Sequence, residues 1–151
     1  VLGDFFPSNT KKMLRLLEGA IPHISNPTTY TLTSHPGFIV NPEDYPSLSL
    51  KMVTNSLSEI LHEFDVAYSA NVTSASVEAC LAGLPVVVML DEKDLNFSPL
   101  LGEPGVHFVS ESKELAEVLQ REDHGSTLDR DHKAFFFLDS ELSRWKKLLL
   151  Q

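Results

Sequence analysis

Residues 69–90 read SANVTSASVEACLAGLPVVVML, a run of small hydroxyl residues between two apolar stretches, with a single acid, Glu78, in its middle. Val86 to Leu90 are consecutive apolar residues fenced off by Gly83 and Pro85, the pattern of a strand buried on both faces. Ahead of them Val77, Cys80, Leu81 and Leu84 recur at helical spacing and make one apolar face. Gly83 followed by Pro85 is the stop signal of that helix. Val66 to Ser69 supply a second strand just before the hydroxyl run. Strand, turn, helix and strand in so short a stretch form the repeating unit of a parallel sheet covered by helices.

The same alternation extends in both directions. Six strands are expected, near Val1 to Phe5, Tyr30 to Thr33, Ser49 to Val53, Val66 to Ser69, Val86 to Leu90 and Val106 to Val109. Further helices are marked by Met13, Leu14, Leu16 and Leu17, by Leu57, Ile60, Leu61 and Phe64, and by Leu115, Val118 and Leu119. Ser56 and Glu59 have the spacing of a capping box at the start of the second of these. The pattern predicts an α/β fold, a doubly wound Rossmann-like parallel sheet of about six strands with helices on both faces. Residues 1–120 are expected to form that domain and residues 121–151 a linker and C-terminal tail helix. The tail carries Leu142, Trp145, Leu148 and Leu149 on one side, after a Phe135, Phe136, Phe137 run too polar-flanked to span a membrane.

With 42% apolar residues in 151, the chain has enough for one domain with a core. Twelve Lys and Arg against 21 Asp and Glu leave a net charge of -9, which excludes the broad basic surface that nucleic-acid binding requires. Any anionic ligand is therefore held locally. One cysteine, Cys80, forms no internal disulfide and falls on a helix's apolar face. No leader or long apolar span is visible, so a reducing cytoplasmic setting is expected. The chain opens on Val1 inside what reads as a strand already under way, so it is expected to be a piece of something larger.

Ligands of such a sheet collect outside the carboxyl ends of its strands. Three stretches fall there: GDFFPSN after the first strand, SHPGF after the second and SANVTSAS after the fourth. A helix starting at Thr73 or Ser74 presents unpaired backbone N–H groups and a positive dipole end, and small hydroxyl side chains let a phosphate approach. A capping box would need the acid at Ser76 for a Thr73 cap or at Val77 for a Ser74 cap, so Glu78 lies too late from either start. It either favours the helix dipole or accepts hydrogen bonds from the two hydroxyls of a ribose.

TSASVEACLAGLPVVV resembles the segment of GT-B glycosyltransferase C-terminal domains in which a hydroxyl-rich turn, a Glu-Ala pair and a Gly-x-Pro precede a buried strand. The resemblance covers Val1 to about Gln120 and implies a nucleotide-sugar-binding half of a two-domain enzyme. It makes Thr73, Ser74 and Ser76 phosphate binders and Glu78 the ribose binder, with Gly83 and Pro85 structural. SHPGF is similar to the His-Pro element of bacterial sialyl- and polyol-phosphate-transferring members, which gives His35 a contact to the donor phosphate. Gly3 and Asp4 match the first loop facing the interdomain cleft. The implied activity is transfer of a sugar from a nucleotide-sugar to a surface polysaccharide or lipopolysaccharide, at the inner face of a bacterial inner membrane. The acceptor site, and as a rule the base, belong to the N-terminal domain, the implied partner. Where many retaining members carry a second Glu, eight positions before the ribose binder, this chain has Ala70, so the stereochemistry stays open.

A nucleotide-sugar 2-epimerase half-domain and a non-catalytic interaction domain are the two rival readings. The six histidines lack the tight spacing of a zinc site, so no metal is expected. Ser76 is not in a Gly-x-Ser-x-Gly elbow, and the first loop lacks GxGxxG, so neither a hydrolase nucleophile nor a dinucleotide cofactor is indicated. In the absence of any Arg or Lys in SANVTSAS, helix amides, His35 and Lys11 or Lys12 would balance a diphosphate. For the tail helix, with Arg144, Lys146 and Lys147, the options are docking on the N-terminal domain, packing on its own domain, and peripheral attachment to anionic lipid.

Overall fold

The computed structural model describes residues 1–71, 73–91, 93, 95–121 and 141–149. Helix α1, Pro7–Ala20, opens on a proline, whose missing N–H would be unpaired in the first turn anyway. Thr10, Met13, Leu14 and Leu17 recur at i, i+3, i+4 and i+7 and are buried. Strand β1 is Thr31–Thr33 and β2 is Lys51–Val53, separated by two 3-10 turns, Pro42–Asp44 and Pro46–Leu48. Ser49 has φ 45°, a left-handed conformation that keeps it out of the strand expected from that residue. Helix α2, Leu57–Ile60, is a single turn continued by a 3-10 turn, Leu61–Glu63. Then follow β3 (Ala67–Ala70), α3 (Ser74–Leu81), β4 (Val86–Met89), β5 (Val106–Val109), α4 (Ser112–Leu119) and α5 (Ser143–Leu149).

All strand pairs are parallel, β1 with β2 in one sheet and β3-β4-β5 in another, with Val86 opposite both Ala67 and Val106. Leu2 stands between the two sheets with one parallel bridge to Thr33 and one to Ser69. Its N–H donates to the Tyr68 carbonyl (2.8 Å), while Thr33 donates to the Val1 carbonyl (3.0 Å) and Gly3 to that of Thr33 (2.9 Å). The strand expected over Val1 to Phe5 is thus reduced to one bridging residue, because Asp4 turns the chain into α1. The outermost strands among the described residues are β2 and β5.

Strand β4 shows how the core divides. Val87 and Met89 enter a cluster with Met13, Leu14, Leu17 and Leu115 of α1 and α4, whereas Val86 and Val88 enter one with Leu61, Ala79 and Cys80 of the α2–α3 side. Successive side chains point to opposite faces, so one apolar run serves two layers of helix. Each fully buried Val, Leu or Met side chain contributes about 1.5–3 kcal/mol.

Helix α3 ends as its sequence demands. Gly83 has φ 89°, its N–H reaches the Cys80 carbonyl (3.0 Å), and the Leu84 N–H reaches that of Ala79 (3.1 Å). These are the two hydrogen bonds of a Schellman stop, and Leu84 packs in the same cluster as Ala79. Helix α5 has no buried residue. No helix among the described residues is long and apolar enough to cross a membrane. The Phe135 to Phe137 run lies outside the described residues, as do His124 and His132.

Candidate functional site

The bridges of Leu2 to Thr33 and Ser69 set three loops side by side at the carboxyl edge of the strands: Gly3 to Phe6, Ser34 to Phe38 and the segment leading into α3. Thr73 is the N-cap of α3, its Oγ1 accepting from the Ala75 N–H (3.3 Å). Ser74, the first helical residue, is exposed. Ser76 is buried and its hydroxyl donates to the Thr73 carbonyl (2.7 Å), so this side chain shapes the turn and does not face solvent. No acidic residue occupies the first turn of α3, and its N-terminal amides meet no carboxylate from their own helix.

Glu78 is exposed one turn beyond Ser74. The two side chains line the same open cleft, about 550 Å3, between α2 and α3, together with Ser58, Leu61, His62 and Val77. His62 and Ser58 are the site residues that reading the sequence missed. Nothing local marks them, because α2 comes beside α3 only through the fold.

Gly3, Asp4 and His35 do not line that cleft. A Cβ at Gly3 would lie 3.0 Å from the His35 backbone nitrogen and 3.1 Å from the Thr33 carbonyl oxygen, so only glycine lets these two loops touch. His35 Nδ1 accepts from the Gly37 N–H (3.0 Å), which leaves Nε2 to carry the proton of the neutral ring. The Phe5 ring stands edge-on to His35, centroids 5.3 Å apart. Asp4 is completely buried: its Oδ1 accepts from the Phe6 N–H (2.7 Å), and its own N–H donates to Thr10 Oγ1 (2.8 Å). It therefore holds the turn into α1, with Oδ2 buried and without a hydrogen-bond partner among the described residues.

Lys11 and Lys12, the two bases expected to balance a diphosphate, are both engaged. Lys12 is ion-paired with Asp91 after β4, whose carboxyl is held below its ordinary range by that hydrogen bond and by the Lys93 N–H. Lys11 lies over the Phe38 ring, 5.8 Å from its centroid. Asn71 Nδ2 donates to the Leu95 carbonyl (2.7 Å), tying the loop after β3 to the loop after β4. Phe5, Phe6, Ile39, Leu95 and Phe97, all in loops that follow strands at this edge, are 54–79% exposed. Among the described residues no group of three or more His, Cys, Asp or Glu is placed to hold a metal ion.

Compared with protein-family models, curated proteins and solved structures, the chain matches none of them.

Proposed function

We propose that residues 1–120 are the donor-binding half of a GT-B glycosyltransferase that uses a nucleotide-sugar to build a surface polysaccharide or lipopolysaccharide. The observation that carries this reading is the pairing of Ser74, the first residue of α3, with Glu78 in one open cleft that runs along α3 beside α2. The amides of that turn and the Ser74 hydroxyl are donors for a diphosphate, and the Glu78 carboxylate is an acceptor for both ribose hydroxyls. We read the two bridges of Leu2 as a sixth strand joining the two- and three-stranded sheets; on that reading the order is β2-β1-Leu2-β3-β4-β5, doubly wound, with the direction of winding reversed between Leu2 and β3. Ligands of such sheets bind at that reversal. By the same reading His35 Nε2 is a further phosphate donor, from the loop after β1 and outside the α2–α3 cleft.

The uncovered Phe5, Phe6, Ile39, Leu95 and Phe97 fit the N-terminal domain as the partner that closes the cleft. By this reading residues 1–151 bind nucleotide and transfer no sugar alone. Titration with UDP, GDP and CMP, followed by amide shifts, is expected to perturb Thr73 to Glu78. Glu78→Ala is expected to weaken the nucleotide that binds by about 10- to 100-fold, the value of hydrogen bonds to a charged acceptor. Silence of Thr73 to Glu78 towards all three nucleotides overturns the proposal. Epimerised free nucleotide-sugar from the complete enzyme would instead establish the 2-epimerase.

A further inference from the structure

The cleft between α2 and α3 continues past His62 and Ala82 into a recess of about 140 Å3 lined by Phe64, Asp65 and Pro85. Its apolar lining comes from Leu61, Val77 and Leu81. Its charged lining is Glu78 and Asp65, with His62 between and neither Lys nor Arg among the lining residues. The turns that carry His62 also expose Glu59 and Glu63.

Helix α5 is complementary to this groove in shape and in charge. Within α5, Trp145, Leu148 and Leu149 fall at i, i+3 and i+4, which makes one stripe, and they are 60–73% exposed; Leu142, expected on the same side, precedes the helix with φ 53° and is not part of it. Arg144, Lys146 and Lys147 flank that stripe, and the single acid of residues 141–149 is Glu141, 4.0 Å from Lys146. Residues 1–121, by contrast, hold 15 acids against 7 Lys and Arg. The seven residues of α5 span about 10 Å and the eight of α3 about 12 Å. Residues 122–140, the connection between Arg121 and Glu141, reach at most about 70 Å when fully extended. That length is ample for a return to the same domain.

We propose that α5 docks in the α2–α3 cleft of its own chain, its apolar stripe on Leu61, Val77 and Leu81 and its bases against Glu78 and Asp65. An anionic membrane is the weaker candidate, because a body with twice as many acids as bases is repelled by the surface that attracts the tail. Because Glu78 lies in the groove, a docked α5 and a bound nucleotide exclude each other. That consequence rests on the nucleotide-binding reading, whereas the docking itself does not.

Trp145 is the single tryptophan, so its fluorescence reports on α5 alone. In the full chain its emission is expected at shorter wavelength, with several-fold weaker acrylamide quenching, than in a synthetic peptide of residues 141–149. The difference is expected to be independent of protein concentration. The double variant Asp65→Lys, Glu78→Lys changes two exposed side chains and leaves the core intact; it is expected to return the emission to that of the peptide. Adding Lys146→Glu and Lys147→Glu is expected to restore the shift. Peptide-like emission in the unaltered chain overturns the proposal, as does insensitivity to the charge reversal. Burial that grows with protein concentration assigns the groove to a second copy, and burial seen only with phosphatidylglycerol vesicles assigns α5 to lipid; either result also overturns it. Saturating UDP is expected to release a docked α5. Docking that persists with UDP bound refutes the competition and leaves the docking standing.

Discussion

Glu78 lies in the second turn of α3, beyond the reach over which a helix N-terminus acts on a carboxylate. Dipole compensation is therefore a poor account of an exposed acid at this position, and its place beside Ser74 in an open cleft favours a ligand. Gly83 is constrained more simply. At φ 89° a Cβ meets the neighbouring backbone, so Gly83→Ala is expected to cost about 1–2 kcal/mol, measured as a lowered urea midpoint with an unchanged slope. The Gly-x-Pro spacing makes that stop legible in the sequence, because only a left-handed residue closes both hydrogen bonds. Ser76 was not legible in the same way. Its hydroxyl type fits phosphate binding as well as a turn, and only its burial and its bond to the Thr73 carbonyl show which demand it meets.

Caps illustrate the same division among elements. Thr73 caps α3 with its side chain, whereas Ser56 occupies the N-cap of α2 without a capping bond, its Oγ lying 3.4 Å from that of Ser58. The capping box expected from Ser56 and Glu59 is thus not formed, since a helix of one turn offers few amides to repay it. Thr73→Ala is expected to lower stability by about 1 kcal/mol and Ser56→Ala to leave it nearly unchanged, a contrast that thermal unfolding of the two variants would read. At α4 the reverse holds: the Glu114 carboxylate accepts from the N–H groups of Ser110 (3.0 Å) and Glu111 (3.3 Å), with Glu111 in a place where Ser or Thr would have announced a cap. The unbroken apolar run of β4 was legible because burial on both faces admits little else. The 3-10 turns over Pro42 to Leu48 were not, since neither apolar period describes them.

For the molecule as a whole, the two helical layers meet on β4, with Val87 and Met89 on the α1–α4 side and Val86 and Val88 on the α2–α3 side, while Leu2 joins the two sheets through Thr33 and Ser69.

Among the described residues, the outermost strands, β2 and β5, have a further consequence. Three residues of β2, opening on exposed Lys51, and four of β5, where the Arg121 guanidinium lies 3.3 Å from the His107 ring, present little free ladder to a foreign backbone. Strand-by-strand polymerisation is thereby blunted at these two margins.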